Sequence, residues 1–347
     1  MRVVSQNSLH HGEFFCCPPF ERTREKSSSM IGWPDYLHDD PTDWLLEEEN
    51  PSVRYLTLRT IMEQPEEHRE TVAAKQSIMR SGPVAAILAA QHEEGYWVKP
   101  GTGYSPKYQG TIWQIIFLAH LAADGSDERV AKGCEYVLNH SRDKNGAFSV
   151  TGVPSAAIEC LNGMLIHAFY RLGWGREERV QQAVQQLCAL ISRRHFQCPA
   201  NYKLPCAWGA VKALLGFSAI PKEERSEEVK AAIDEGADLL LSRNLAVADY
   251  PYRERINSNW FKFGFPLSYG SNVLEALHAL AELGYGAKPA LTDALKLTLS
   301  KQNDLGRWKM ETSLNGKMWA DIEAKGKPSK WVTLQAVRML KRVFGGD

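Results

Sequence analysis

Gln91-His-Glu-Glu-Gly95-Tyr-Trp97 decides how this chain reads, because the same form returns as Gln302-Asn-Asp-Leu-Gly306-Arg-Trp308. Both are Q-x-x-x-G-x-W. Between them, Arg142-Asp-Lys-Asn-Gly146-Ala-Phe148 keeps the glycine and an aromatic but not the glutamine. A glycine there can take the left-handed position that ends many helices. A glutamine on the last helical turn can bond carbonyls that a helix end leaves unpaired. The aromatic two residues on can fold back over that end. The stretch therefore reads as a structural clamp, with Trp97 and Trp308 packed on outer helices.

Working outward, the helices that precede such clamps end near Ala90, Ser141, Ser192, Ser242 and Ser300. That interval, roughly 50 residues, suits one helical hairpin plus a long loop. Earlier helices are predicted over Ser52–Met62, Thr111–Ala122, Ala156–Leu172, Cys206–Phe217 and Ser271–Leu283, with a last one over Lys330–Phe344. The second helix of the first unit runs from about Glu67 to Gln91 and breaks at Gly82-Pro83. This makes six first-type and five second-type helices, and Asp43–Glu49 is the candidate for a sixth of the second type. The expectation is an all-α fold, an α/α toroid of about six hairpins with inner and outer helix rings. It would occupy residues 30–347 as one domain. Met1–Ser29 is expected to lie outside it, as a disordered extension or an over-extended reading frame.

The repeated Q-x-x-x-G-x-W motif and the paired helices resemble the α/α-toroid superfamily, over roughly Asn50 to Phe344. That superfamily includes the squalene–hopene and oxidosqualene cyclases and the β subunits of protein prenyltransferases. The resemblance implies the toroid fold and a terpenoid cyclase or prenyltransferase type of activity on an apolar substrate. The family's D-x-D-D acid is absent, the D-D-x-x-D string Asp39-Asp40-Pro41-Thr42-Asp43 lies outside the ring in a proline-flanked segment, and the family's zinc set of Asp, Cys and His finds no matching positions. Its catalytic residues therefore do not carry over.

Bulk properties exclude several classes. Lys plus Arg equals Asp plus Glu at 41 each, so there is no electrostatic footprint for nucleic acid or an anionic membrane. No apolar run is long enough to span a bilayer. Seven cysteines without a secretory signal point to reduced thiols in the cytoplasm. Cys198 and Cys206 are the pair that could act together; the rest read as small core residues. The C-x7-C spacing with His195 is not a zinc spacing, and neither a metal nor another cofactor is expected.

Long, aromatic-rich loops precede the first-type helices and crowd one rim, where function usually sits. The opposite rim, with short charged connectors, reads as plain surface. Polar residues opposite the apolar stripe of an inner helix should face the lumen. On this basis Glu159, Glu275 and His278 are the catalytic candidates, with Asn162 and His278 orienting the two carboxylates at i,i+3. Glu159 and Glu275 are expected to share one cavity, roofed by loops that carry Tyr108, Tyr202 and Trp260. The remaining candidate substrate contacts are Trp113, Gln114, Lys212, Phe263, Tyr269 and Trp331. Three readings stay open: a terpenoid-type enzyme with an aromatic lumen, a carbohydrate-active barrel with a Glu pair, and a non-catalytic binding scaffold.

Overall fold

The computed structural model of the protein describes residues 32–250 and 257–345. The expectation for Met1–Ser29 lies outside the described residues. The helices are α1 (Thr42–Leu45), α2 (Pro51–Thr60), α3 (Arg69–Ile78), α4 (Gly82–Ala89), α5 (Thr111–His120), α6 (Glu128–His140), α7 (Glu159–Arg171), α8 (Glu178–Arg194), α9 (Ala207–Ser218), α10 (Glu227–Leu241), α11 (Val273–Glu282), α12 (Thr292–Leu299) and α13 (Lys330–Phe344). A two-stranded hairpin, β1 (Gln197–Cys198) and β2 (Leu204–Pro205), sits between α8 and α9.

Burial separates the two rings. In α5 every residue from Thr111 to Ala119 is buried, which only an inner helix allows. In α6 and α8 one face is buried, through Val130, Cys134 and Val137 or Val180, Leu187 and Ile191, while the other carries charge. The inner helices pack in the order α5, α7, α9, α11, α13, α2, and outer helices α6, α8, α10 and α12 back onto α5, α7, α9 and α11. Caps set several starts: Asn50, Asp127, Ser226, Asn272 and Ser329 each accept a backbone N–H of the first turn. Helices α7 and α9 cross tightly at Gly163, where a Cβ would come 2.2 Å from the Lys212 carbonyl oxygen. One continuous buried cluster runs from Leu45 to Leu340.

The Q-x-x-x-G-x-W stretches are clamps, but of a different construction from the one expected. Gly95 (φ +94°) lies in a tight turn between His92 and Tyr96, several residues beyond the end of α4, instead of capping the helix. The Gln91 amide donates to Gly95 O at 3.1 Å and reaches sideways to Arg129 O of α6 at 2.9 Å. The indole Nε1 of Trp97 donates to Ile87 O (2.7 Å), and that of Trp308 to Thr298 O (2.8 Å), each on its own outer helix. The backbone N–H of the aromatic then bonds a side chain on the next inner helix. Trp97 N meets Thr111 Oγ1 at 3.1 Å, Phe148 N meets Asn162 Oδ1 at 2.8 Å, and Trp308 N meets Thr333 Oγ1 at 3.0 Å. Each clamp thus ties one hairpin to the next.

The last clamp has no following hairpin and uses the segment around Tyr36 instead. Gln302 Nε2 donates to Tyr36 O at 2.9 Å, and Gln302 Oε1 accepts from His38 N at 3.0 Å. Tyr36 stacks on Phe344 with centroids 3.9 Å apart, and Lys330 bonds Glu47 and Glu49 at 2.6 Å each. The segment 33–49, with α1 inside it, stands where a sixth outer helix would. Long loops gather at one rim and short connectors at the other, as the loop lengths imply.

Candidate functional site

Two cavities share a wall at Leu267. The first, about 110 Å³, is the lumen. All six inner helices line it, through Leu56 (α2), His120 (α5), His167 (α7), Lys212 (α9), His278 (α11) and Arg338 (α13). Its volume suits a small group or several waters. Phe265, stacked on Trp331 with ring centroids 3.8 Å apart, and Leu267 stopper it toward the loop-rich rim.

Inside the lumen, Lys212 Nζ donates to Glu275 Oε1 at 2.5 Å, and both side chains are almost inaccessible. Asn272, capping α11, accepts from Glu275 N at 2.9 Å and so fixes the carboxylate's helix turn. Glu275 Oε2 has no hydrogen-bond partner among the described residues, and the same holds for Nδ1 of His120 and of His278. Burial drives His278 down to about 4, helped by Arg338, and His120 down to about 3, helped by Lys212 and Arg171. Burial also takes His167 well below the usual imidazole range, with Arg171 next in effect. These imidazoles are neutral at pH 7 and can donate or accept. Arg338 contacts Glu282 only at 3.9 Å, and burial draws its guanidinium down to about 10. Arg171, the last residue of α7, keeps accessible surface and has no direct ion-pair partner among the described residues. The lumen therefore meets solvent at the short-connector rim, which corrects the expectation of plain surface there. With Glu275 the one carboxylate among its described lining residues, it holds an excess of cationic and imidazole groups.

The second cavity, about 570 Å³, lies under the long loops. Tyr104, Tyr108, Trp208 and Tyr269 form aromatic walls, and Lys107, Lys262 and Lys317 supply charge, with no carboxylate among the described lining residues. Lys107 Nζ stands 4.5 Å over the Tyr269 ring. Cys160, Cys198 and Cys206 complete the lining. Glu159 stands beside these thiols: a Cβ added to Gly209 would lie 3.6 Å from Cys206 Cβ and 3.7 Å from Glu159 Cβ. Burial raises the Glu159 carboxyl to about 7, against the pull of its own backbone N–H and of Arg194, 3.7 Å away.

Several expected residues sit elsewhere. Glu159 and Glu275 do not share a cavity: α9 stands between α7 and α11, and Glu159 turns outward to Arg194 on α8. An apolar stripe marks one buried face, whereas an inner helix buries nearly all of its faces. Asn162 does not orient Glu159; its amide pairs both ways with Phe148, at 2.8 Å to N and 2.8 Å to O. His278 is 3.9 Å from Glu282, one turn further along α11. Trp113 is fully buried, donates to Tyr104 O at 2.8 Å, and supports the rim cavity from behind Tyr104 and Tyr108. Gln114 donates to Tyr108 O at 3.0 Å. Trp260 is fully buried with Nε1 on Leu245 O at 2.8 Å, and Phe263 is core. Tyr202 is 71% exposed and lines neither cavity. Tyr108 and Tyr269 line the rim cavity; Lys212 and Trp331 line the lumen.

The lumen residues absent from the sequence reading are His120, His167, Arg171 and Arg338. A signal existed: His167/Arg171, His278/Glu282 and Arg338/Arg342 are polar i,i+4 pairs on otherwise apolar inner helices. They lie in the later parts of those helices, away from the loops.

The geometry defines an all-α toroid of inner and outer helix rings. No known family and no curated protein matches the chain. Among solved structures, a protein from Actinoplanes is 15% identical, with 84% of this chain and 90% of that one covered and a TM-score of 0.41. The type II terpene cyclase MstE from Scytonema, in complex with geranylgeranyl dihydroxybenzoate, is 12% identical, covering 76% of this chain and 95% of that one with a TM-score of 0.30. At these values the likeness says nothing of substrate or reaction. Among the described residues, no helix is long and apolar enough to cross a membrane, and no group of three His, Cys, Asp or Glu is placed to hold a metal.

Proposed function

We propose that the protein is a terpenoid cyclase-like or prenyltransferase-like enzyme whose lumen binds a small molecule with an apolar, isoprenoid-like body and an anionic group. The observation that carries this reading is one cavity lined by all six inner helices, with apolar walls and a cationic end. Leu56, Met164, Leu215, Leu274 and Leu334 with Phe265 and Trp331 offer the apolar surface. Arg171 and Arg338 meet the anion through charge-assisted hydrogen bonds. Glu275, through its free Oε2, and neutral His278 handle the proton, and Lys212 holds Glu275 in place. The Phe265–Leu267 segment moves aside to admit the body. The carbohydrate reading loses support because its carboxylate pair is split between two places, and the scaffold reading because polar groups converge.

The test is binding of a prenyl acid or prenyl diphosphate to the full chain by calorimetry. Arg171→Gln should weaken binding about tenfold, the loss of one charge-assisted contact. Glu275→Gln should abolish turnover of any substrate so identified while binding persists. Equal affinity for a sugar acid of the same charge would remove the apolar half of the reading. Unchanged affinity in Arg171→Gln would remove the anionic half.

A further inference from the structure

The rim cavity carries chemistry that the lumen reading does not use. Cys198 and Cys206 belong to the hairpin between α8 and α9. The register pairs Cys198 with Leu204 and Gln197 with Pro205, and Cys206 N donates to Phe196 O at 3.0 Å. Cys198 and Cys206 are therefore diagonal neighbours on one face of the ribbon. Both line the cavity. The turn is held in strain. His195, Phe196, Tyr202 and Lys203 all have positive φ, at 48°, 58°, 53° and 61°, without being glycine.

The two thiols are not equivalent. The Cys206 hydrogen bond, then the N–H groups of Ala200 and Asn201 and the charge of Arg194, bring Cys198 down to about 6 against the effect of burial. Cys206 keeps its proton, well above the usual thiol range, because it is the donor in that bond. Cys206 also caps α9, with Gly209 N donating to its Sγ at 3.4 Å. Once Cys198 is covalently modified and neutral, that N–H and the helix N-terminus favour the Cys206 thiolate. The nearby Cys160 is half-buried and desolvation raises it to about 12, so it stays a thiol.

We propose that Cys198 and Cys206 form a dithiol exchange site, which reduces an anionic low-molecular-weight disulfide held in the rim cavity. Cys198 thiolate attacks one sulfur of the small disulfide. A Cys198–sulfur bond forms, the disulfide's own S–S bond breaks, and the first small thiolate leaves. Cys206 then attacks Cys198 sulfur and the second small thiolate leaves. The two cysteines are oxidised to one protein disulfide and the small disulfide is reduced to two thiols, which take the Cys206 proton and one proton from solvent. The anionic preference follows from Lys107, Lys262 and Lys317, with no carboxylate among the described residues of the lining. The aromatic walls exclude water from the attacking sulfur.

The experiment treats the full chain with oxidised glutathione, which is anionic, and with cystamine, which is cationic, and follows intact mass. The wild type should lose two hydrogen atoms, with glutathione added only transiently. Cys206→Ser should stop at a mixed disulfide on Cys198, and Cys198→Ser should leave residue 206 unmodified. Oxidised glutathione should react several-fold faster than cystamine at low salt, and that advantage should shrink with added salt. Iodoacetamide labelling of wild-type Cys198, which needs no variant, should be half-maximal near pH 6. Labelling that rises only around the ordinary thiol value of about 8.5 would overturn the proposal, as would glutathione on Cys160 in preference to Cys198. Equal rates for the two disulfides would overturn the anionic class.

Discussion

The two ends of the toroid differ in what builds their cavities. At the short-connector end, helices alone place His120, His167, Arg171, His278 and Arg338, and the space is small and stiff-walled. At the loop-rich end, hairpin and loop residues place Tyr108, Tyr269, Cys198 and Cys206 around a space several times larger. Loop length by itself pointed to one end only. A ring of parallel inner helices has two openings, and side chains that project inward near the helix C-termini equip the second without any loop.

If the clamps serve both ends equally, Trp308→Ala should have the largest effect. It removes a fully buried indole and its bond to Thr298 O, at a cost of about 3–5 kcal/mol in chemical denaturation. Cys198 labelling and lumen binding, measured well below the lowered melting temperature, should be nearly unchanged. A stable Trp308→Ala protein that had lost either function would show that the clamp belongs to that end alone.

Lys212→Met acts on one end. It leaves Glu275 buried without its partner, at the lower end of about 3–5 kcal/mol, and Lys212→Met with Glu275→Gln should recover most of that. The rate of Cys198 labelling should not move in either protein. A change there would mean that the ends are coupled through the Leu267 wall, and the separation drawn above would fail.

Proton linkage gives the most selective contrast, because the ends have opposite signs. His120 and His278 titrate near 6.5 when unfolded and near 3 and 4 when folded, so the unfolded chain binds more protons between about pH 4 and 6.5. Stability from the lumen therefore rises with pH across that window, by up to about 1.4 kcal/mol per unit for each imidazole. Glu159 is raised from 4.5 to about 7, so the folded chain binds the extra proton and stability from the rim falls as pH rises from 4.5 to 7. His278→Asn should flatten the acid limb of the stability curve, and Glu159→Gln should flatten the loss toward neutrality. Denaturation midpoints from pH 4 to 8 decide it, and a Glu159→Gln curve parallel to wild type would show that this carboxyl is ionised in the fold.

Much of the architecture was legible in the chain because it is local and repeated. The inner helices at Thr111, Cys206 and Lys330 start within a residue or so of their expected positions, since caps and breakers act over a few residues. The break at Gly82-Pro83 separates α3 from α4. The clamp's role was legible in outline, but Gln91 bonding sideways to Arg129 O was not, because nothing near Gln91 names its neighbour. The site was legible only in pieces. Glu275, His278, Lys212 and Trp331 line the lumen, yet the pairing of Lys212 with Glu275 spans 63 positions and depends on how α9 and α11 are rotated against each other. Trp260 and Phe263 look like ligand contacts by composition and are core by position.

Sequence by itself determined the helices, their two classes, the repeat that joins them and the absence of a D-x-D-D acid. These follow from periodicity, capping and breaker residues, whose physical range is a turn or two of chain. Tertiary structure alone decided which polar side chains meet. Leu56 and Arg338 become neighbours across one lumen only when six helices close, and Glu159 was assigned to the thiols of the rim by the rotation of α7 toward Arg194. Burial then changed the chemistry of those groups, making imidazoles neutral and raising the Glu159 carboxyl to about 7, and burial is a property of the packed ring and not of any stretch of its sequence.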